Sequence, residues 1–225
     1  MNMTKQQVRQ RISEIGIVPV VRASSAAAAI AATEAVSKGG IPIVEITMTV
    51  PGAVDVIAQL VKSMGKEVLV GAGTVLSAED GQRCLDAGAQ FLVSPGFDRE
   101  TVELANRAGI LIMAGALTPT EVITAWKAGS DIIKIFPCGT VGGAKYIKAL
   151  KGPLPQIPMV PTGGVNLSTA ADFLAAGAEA LGVGGELVSP AALQSGNTQP
   201  ITKAAQEFVE IVRRAKHAEV TASRN

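Results

Sequence analysis

The 225-residue chain has 20 Lys+Arg against 19 Asp+Glu, a net charge of +1, and its basic residues are spread along its length, so nothing suggests nucleic acid. Apolar residues make up 48% and charged ones 17%, enough for a large core and too few charges for a disordered chain. Cys84 and Cys138 lie far apart without a CxxC spacing, which indicates neither a disulfide framework nor a zinc site. The single histidine, His217, sits in a polar C-terminal segment, which removes His-based triads, His-ligated metals and a His general base together.

The first residues are polar and lack the apolar stretch of a signal peptide, and the longest uncharged segment, 152–171, contains four prolines and three glycines. A cytoplasmic protein with no membrane partner is expected.

In chain order, Thr4 and Gln7 form a capping box for a helix over 5–15. A short apolar run at 17–22 follows, then a helical pattern at 25–38, and the alternation continues to the end. The later apolar runs are 41–47, 67–72, 90–94, 110–114, 131–136, 158–161 and 180–184, and the later helical stretches are 51–64, 77–87, 98–108, 118–128, 140–151, 166–176 and 199–216. A "GG" or "AG" pair recurs ahead of the strands, as in Gly39-Gly40, Ala87-Gly88, Ala108-Gly109, Ala128-Gly129 and Ala176-Gly177, and marks a tight αβ turn. Residues 189–199 read as a loop, and 217–225 as a frayed polar tail outside a single domain spanning 1–216.

Strands apolar on both faces argue for a parallel sheet covered by helices. An open doubly wound sheet satisfies the same alternation, but eight βα units of about 25 residues is the number that closes a (β/α)₈ TIM barrel, here with an extra N-terminal helix.

In such a barrel the reactive side chains lie at the C-terminal ends of the strands. That filter returns Arg22, Glu45 with Thr47, Gly71 to Thr74, Ser94-Pro95-Gly96, Lys134, Thr162-Gly163-Gly164 and Gly184-Gly185. Lys134 interrupts the apolar run 131–136 and shares a strand face with Ile132 and Phe136. A lysine at a strand end commonly snorkels to solvent or pairs with a carboxylate. Inside a barrel it can instead act as an amine nucleophile, because desolvation favours the neutral amine.

Glu45 is an acid within an apolar strand run; it is either an ion-pair partner of Lys134 or Arg22, or a proton carrier working beside the lysine. Arg22 could clamp a carboxylate or simply end a strand in solvent. The glycine-rich ends of strands seven and eight offer exposed backbone N–H groups of the kind that hold phosphate, or are only tight turns. The segment from Gly71 lacks the third glycine of a dinucleotide fingerprint, since Leu76 stands there, and Cys138 has no base beside it.

Six stretches, Val44-Glu45-Ile46-Thr47, Gly71 to Val75, Ser94-Pro95-Gly96, Lys134 to Pro137, Pro161 to Val165 and Gly184-Gly185, together resemble the KDPG/KHG aldolases over about residues 17–212. The resemblance implies a homotrimeric barrel with no metal or organic cofactor that cleaves a small 2-keto acid, commonly phosphorylated. In it Lys134 would form a Schiff base and Glu45 would be the acid/base. Thr74 would help hold the substrate carboxylate, Phe136 and Pro95 would wall the pocket, and Thr162, Gly163, Gly164 and Gly184 would form the phosphate end.

Two positions depart from the family pattern. Thr49 stands where many members have an arginine for the carboxylate, which leaves more to Thr74, Arg22 and the backbone; Gly185, followed by Glu186, stands where many have a phosphate-binding serine. A phosphosugar isomerase without a Schiff base, or an idle barrel kept as a scaffold, would share the fold, and the sequence leaves open the C4 configuration of the substrate.

Overall fold

The structure, a computed structural model, describes residues 3–222. Eight parallel strands, β1 (Ile17–Val21), β2 (Ile43–Thr47), β3 (Leu69–Gly73), β4 (Phe91–Val93), β5 (Leu111–Ala116), β6 (Ile132–Ile135), β7 (Met159–Pro161) and β8 (Leu181–Val183), hydrogen-bond in the order β7-β6-β5-β4-β3-β2-β1-β8. The ring closes between β7 and β8 through a parallel bridge from Thr162 to Gly182. Glycine is required there, since a Cβ on residue 182 would stand 2.0 Å from Thr162 Oγ1. Every residue of all eight strands is buried, one face against the barrel interior and the other beneath helices, which is why the strands are apolar throughout.

The helices are α1 (Lys5–Ile15), α2 (Ala26–Lys38), α3 (Ala53–Met64), α4 (Ala78–Asp86), α5 (Arg99–Ala108), α6 (Pro119–Lys127), α7 (Ala144–Lys151), α8 (Ala170–Ala175), α9 (Pro190–Ser195) and α10 (Gln199–Ala222). None of the described helices is long and apolar enough to cross a membrane. Several start where a side-chain oxygen accepts an otherwise unpaired N–H of the first turn: Ser25, Ser77, Asp98 and Thr118 each do so. The recurring αβ turn uses one conformation, with Gly40, Gly88, Gly129 and Gly177 at φ between 93° and 97°. Only glycine takes that backbone without strain.

The α1 helix opens with the expected capping box, Thr4 Oγ1 accepting from Gln7 N (3.3 Å) and Gln7 Oε1 from Thr4 N (2.8 Å). It is tied to the N-terminal end of the barrel. Lys5 Nζ lies 2.9 Å from Asp131 Oδ2, which also accepts from Ile112 N on β5, and Arg11 donates to the Glu67 carbonyl.

Three expectations need correction. The stretch 189–199 is not all loop: Ser189 Oγ accepts from Ala192 N and Pro190 opens the helix α9. The helical pattern at 140–151 splits, because Gly142 and Gly143 take positive φ between a 3₁₀ turn (Cys138–Val141) and α7. The last helix does not fray at 217; with no glycine or proline after Pro200 it runs on to Ala222, and the rest of the expected tail lies outside the described residues.

Candidate active site

Glu45 on β2 and Lys134 on β6 stand on opposite sides of the eight-stranded ring. Both side chains point inward and meet across it, Lys134 Nζ to Glu45 Oε1 at 3.5 Å, with side-chain exposures of 4% and 3%. Among the described residues they are the only buried charged side chains. The separation is that of an ion pair but too long for a good hydrogen bond, and Glu45 Oε1 has no hydrogen-bond partner. A buried carboxylate oxygen held this way is an acceptor available to a third group. Arg22, the alternative partner, makes no ion pair among the described residues.

Room for this pair comes from residues that carry no side chain. A Cβ on Gly73 would stand 1.9 Å from Glu45 Oε1, and one on Gly71 would stand 2.3 Å from the Phe91 ring. Gly115, paired in register with Lys134, admits the Pro95-Gly96 peptide, which lies 2.1 Å from where its Cβ would be. Ser94 fixes that loop by donating to Gly96 O (2.7 Å) while accepting from Gly115 N (3.4 Å). The strand glycines 73 and 115 and the buried Ser94 are structural determinants that the motif reading leaves without a role; a glycine inside a strand is itself a sign of close approach.

Thr74 follows β3 at φ 57°, the only described non-glycine residue with positive φ. For a β-branched residue that backbone costs about 1–3 kcal/mol and persists where the surroundings impose it. Phe136 stands half-buried with its ring centroid 5.5 Å from Lys134 Nζ, and Pro95 is half-buried in the loop after β4. The Cys138 thiol, just beyond β6, is pushed up to about 11 by burial, which keeps it protonated and unreactive.

At the ends of β7 and β8, Gly163 and Gly164 take φ of 85° and 80°, and Thr162 is buried beside them. The backbone N–H groups of Gly163, Gly164, Gly185 and Glu186 donate to no described residue, so four donors cluster at one side of the mouth. Arg22 reaches the same side, with Nη1 3.3 Å from the position a Cβ on Gly184 would take. Thr47 ends β2, next to β1; its hydroxyl is buried and donates to Val21 O at 3.0 Å, one residue before Arg22. All twelve residues singled out from the sequence therefore lie on the C-terminal parts of strands or just after them. Among the described residues no three His, Cys, Asp or Glu side chains converge as metal ligands.

The model of the aldolase family described as KDPG and KHG aldolase matches residues 8–204. The 2-dehydro-3-deoxy-phosphogluconate aldolase of Haemophilus influenzae is 32% identical over 213 residues, 95% of this chain and 100% of that one. The KHG/KDPG aldolase of Escherichia coli K12 is 35% identical over 195 residues, 86% of this chain and 91% of its own. Among solved structures, the KDPG aldolase of Legionella pneumophila, with pyruvate captured as a covalent carbinolamine, superposes with a TM-score of 0.83 at 28% identity over 90% of this chain and 98% of its own. A buried lysine and glutamate on a closed barrel, and a match over nearly the whole chain, place this protein in the KDPG/KHG aldolase family of carbon–carbon lyases.

Proposed function

We propose that this protein is a class I aldolase that cleaves 2-keto-3-deoxy-6-phosphogluconate to pyruvate and glyceraldehyde 3-phosphate, with 4-hydroxy-2-oxoglutarate as a second substrate. The observation that carries this reading is the buried Lys134–Glu45 pair, 3.5 Å apart across the barrel. The Lys134 amine attacks the C2 ketone, and Glu45 moves the protons that turn the carbinolamine into an iminium with loss of water. The iminium draws in the electron pair as the C3–C4 bond breaks. Glu45 takes the C4 hydroxyl proton, directly or through water, and the aldehyde leaves. Protonation of the enamine at C3 and hydrolysis of the imine then release pyruvate and restore the amine.

In this reading Thr74 and neighbouring backbone hold the pyruvyl carboxylate, Phe136 and Pro95 wall the imine, and Thr47 lines the β2 side. Thr162, Gly163, Gly164, Gly184, Gly185 and Arg22 receive the distal anion; the four free N–H groups support that assignment. Without a hydroxyl at Gly185 the grip on phosphate weakens by about 1 kcal/mol, the usual net worth of one hydrogen bond. The reading carries with it the homotrimer and the cytoplasmic location that the family resemblance implies.

The test is mass spectrometry after incubation with pyruvate and sodium borohydride, which reduces the imine to a stable adduct. A single adduct mapping to Lys134, absent from Lys134→Ala, is expected, together with a fall in turnover of at least about 10⁴-fold in that variant. An unmodified wild-type chain, or full turnover in the variant, overturns the assignment. Initial rates with the gluconate and galactonate forms of the substrate fix the C4 configuration.

A further inference from the structure

Resting on the aldolase reading and the distal anion it assigns, we propose that Gly139 is a positioning residue. Having no side chain, it lets the loop after the lysine strand grip the Gly163–Gly164 turn and so aims two backbone N–H groups at the substrate phosphate. Its effect falls on recognition of the phosphate rather than on formation of the imine.

The inference follows from the way two peptide planes face. Thr162 N donates to Ile135 O at 2.9 Å, which carries the pairing of β7 with β6 past the strand ends. Just beyond, Cys138 N donates to Thr162 O at 2.9 Å and Gly139 N donates to Gly163 O at 2.8 Å. In a regular strand successive carbonyls point to opposite sides, yet here both face the β6 loop. Gly163, at φ 85°, is where the chain turns over to allow this. A trans peptide group holds its N–H antiparallel to its C=O, so the N–H groups of Gly163 and Gly164 both face away from β6. That direction is toward β8 and β1, where the N–H groups of Gly185 and Glu186 and the Arg22 guanidinium stand. Neither N–H of the turn has an acceptor among the described residues.

The grip needs glycine at 139. A Cβ there would stand 2.9 Å from Gly164 Cα and 3.0 Å from Gly163 O, the carbonyl that Gly139 N itself holds. A Cβ on Gly164 would in turn stand 2.7 Å from Gly139 Cα, so the two loops touch backbone to backbone. Gly163 and Gly164 take positive φ and need glycine for that reason as well; Gly139 does not, and the contact is its whole requirement. On the other side of the turn Thr169 Oγ1 donates to Gly164 O at 3.0 Å, so the turn is held from both sides. Alanine at 139 therefore presses on the Gly163 carbonyl, rolls its peptide plane and swings the Gly164 N–H off its line. The Lys134–Glu45 pair, across the barrel interior, is not touched by this change.

The experiment measures kcat/KM of the full-length wild type and G139A on 2-keto-3-deoxy-6-phosphogluconate and on 2-keto-3-deoxygluconate, alongside borohydride trapping with pyruvate. The two substrates differ only in the phosphate. The ratio of their kcat/KM values, phosphorylated over unphosphorylated, is expected to fall about tenfold in G139A, the worth of one hydrogen bond, while the Lys134 adduct forms at the wild-type rate. A merely structural role would lower both substrates and the trapping alike and leave the ratio unmoved. Amide NMR of the wild type titrated with inorganic phosphate reads the same arrangement without any variant, and decides the matter if G139A does not fold. The Gly163 and Gly164 signals are expected to shift, while the Cys138 and Gly139 N–H groups stay protected from exchange. A wild-type adduct with an unchanged ratio in folded G139A, or Gly163 and Gly164 signals that phosphate leaves in place, overturns this inference alone; absence of the adduct overturns the aldolase reading and this inference with it.

Discussion

The two ends of the barrel are built from the same alternating chain and differ in how completely their polar groups are satisfied. Beside the N-terminal end lies a groove of about 690 Å³ lined by residues such as Arg9, Glu14 and Leu174. Charges at that end are largely engaged: Arg9 lies 3.6 Å from Glu179, Lys5 lies 2.9 Å from Asp131, and Glu14 accepts from Gln10 at 2.8 Å. The C-terminal end is less satisfied. There, among the described residues, Glu45 Oε1 has no hydrogen-bond partner, the backbone N–H groups of Gly163, Gly164, Gly185 and Glu186 have no acceptor, and Thr74 is held at φ 57°. Unsatisfied polarity, rather than the presence of a groove, singles out the end where the aldolase reading places the chemistry.

The comparison breaks most sharply at Gly73. Its missing side chain is what seats the Glu45 carboxylate, since a Cβ there would lie 1.9 Å from Oε1 and 2.5 Å from Cδ. Gly73→Ala must push the carboxylate away from Lys134 by the better part of a bond length or more. A displacement of that size costs about 100-fold in turnover. The expected result is a kcat about two orders of magnitude below wild type, measured by coupling pyruvate release to lactate dehydrogenase, in a protein that still melts cooperatively. A wild-type kcat would show that Glu45 need not sit where the structure puts it.

The opposite end predicts the opposite outcome. Asp131 joins α1 to the barrel, its carboxylate taking Lys5 Nζ from α1 and Ile112 N from β5. Asp131→Ala leaves a backbone donor without its acceptor and cuts the helix anchor, a loss of about 2 kcal/mol. In a chain of this size that lowers Tm by about 4–8 °C. The expected pairing is a lower Tm by calorimetry with kcat/KM at the wild-type value. A large fall in kcat/KM with Tm unchanged would show that the base is not separate from the chemistry.

The difference between the ends also explains what the sequence could reveal. Lys134 and Glu45 are visible because each interrupts an apolar run, and the strand period places Lys134 on the face of Ile132 and Phe136. Which way that face points is a property of the closed ring, and so is the meeting of β2 with β6 across it. Gly73 and Gly115 look like ordinary strand glycines until Glu45 and Pro95, from other parts of the chain, are seen filling their space. Thr49 shows in sequence only as a departure from a motif; that its hydroxyl meets Thr47, which donates to Val21 O on the neighbouring strand, is seen only in the fold. The helix α9 is missed because six residues are too few to display a period, although Ser189-Pro190 is a sound start signal. Local periodicity is legible from one stretch of chain, whereas contact across the barrel is not.

The smallest expected effect concerns the two thiols, and it tests how far reactivity at the mouth extends beyond its axis. Cys138 is within four residues of Lys134 in the chain, while Cys84 lies in α4, outside the ring, yet burial pushes both thiols up to about 11. For Cys84 the neighbouring Asp80 adds to the rise and Arg83 opposes it. Raised values mean that the folded chain keeps its thiol protons between about pH 9 and 11 while the unfolded chain releases them. Stability from this source is therefore fully present below pH 9 and is lost as pH rises toward 11. At pH 8 neither thiol of the native protein should react with Ellman's reagent within minutes, and both should react once the chain is unfolded in guanidinium. Rapid labelling of Cys138 alone would show that the wall behind Lys134 opens to solvent, and the contrast between a sealed interior and an unsatisfied mouth would then have to be redrawn along β6.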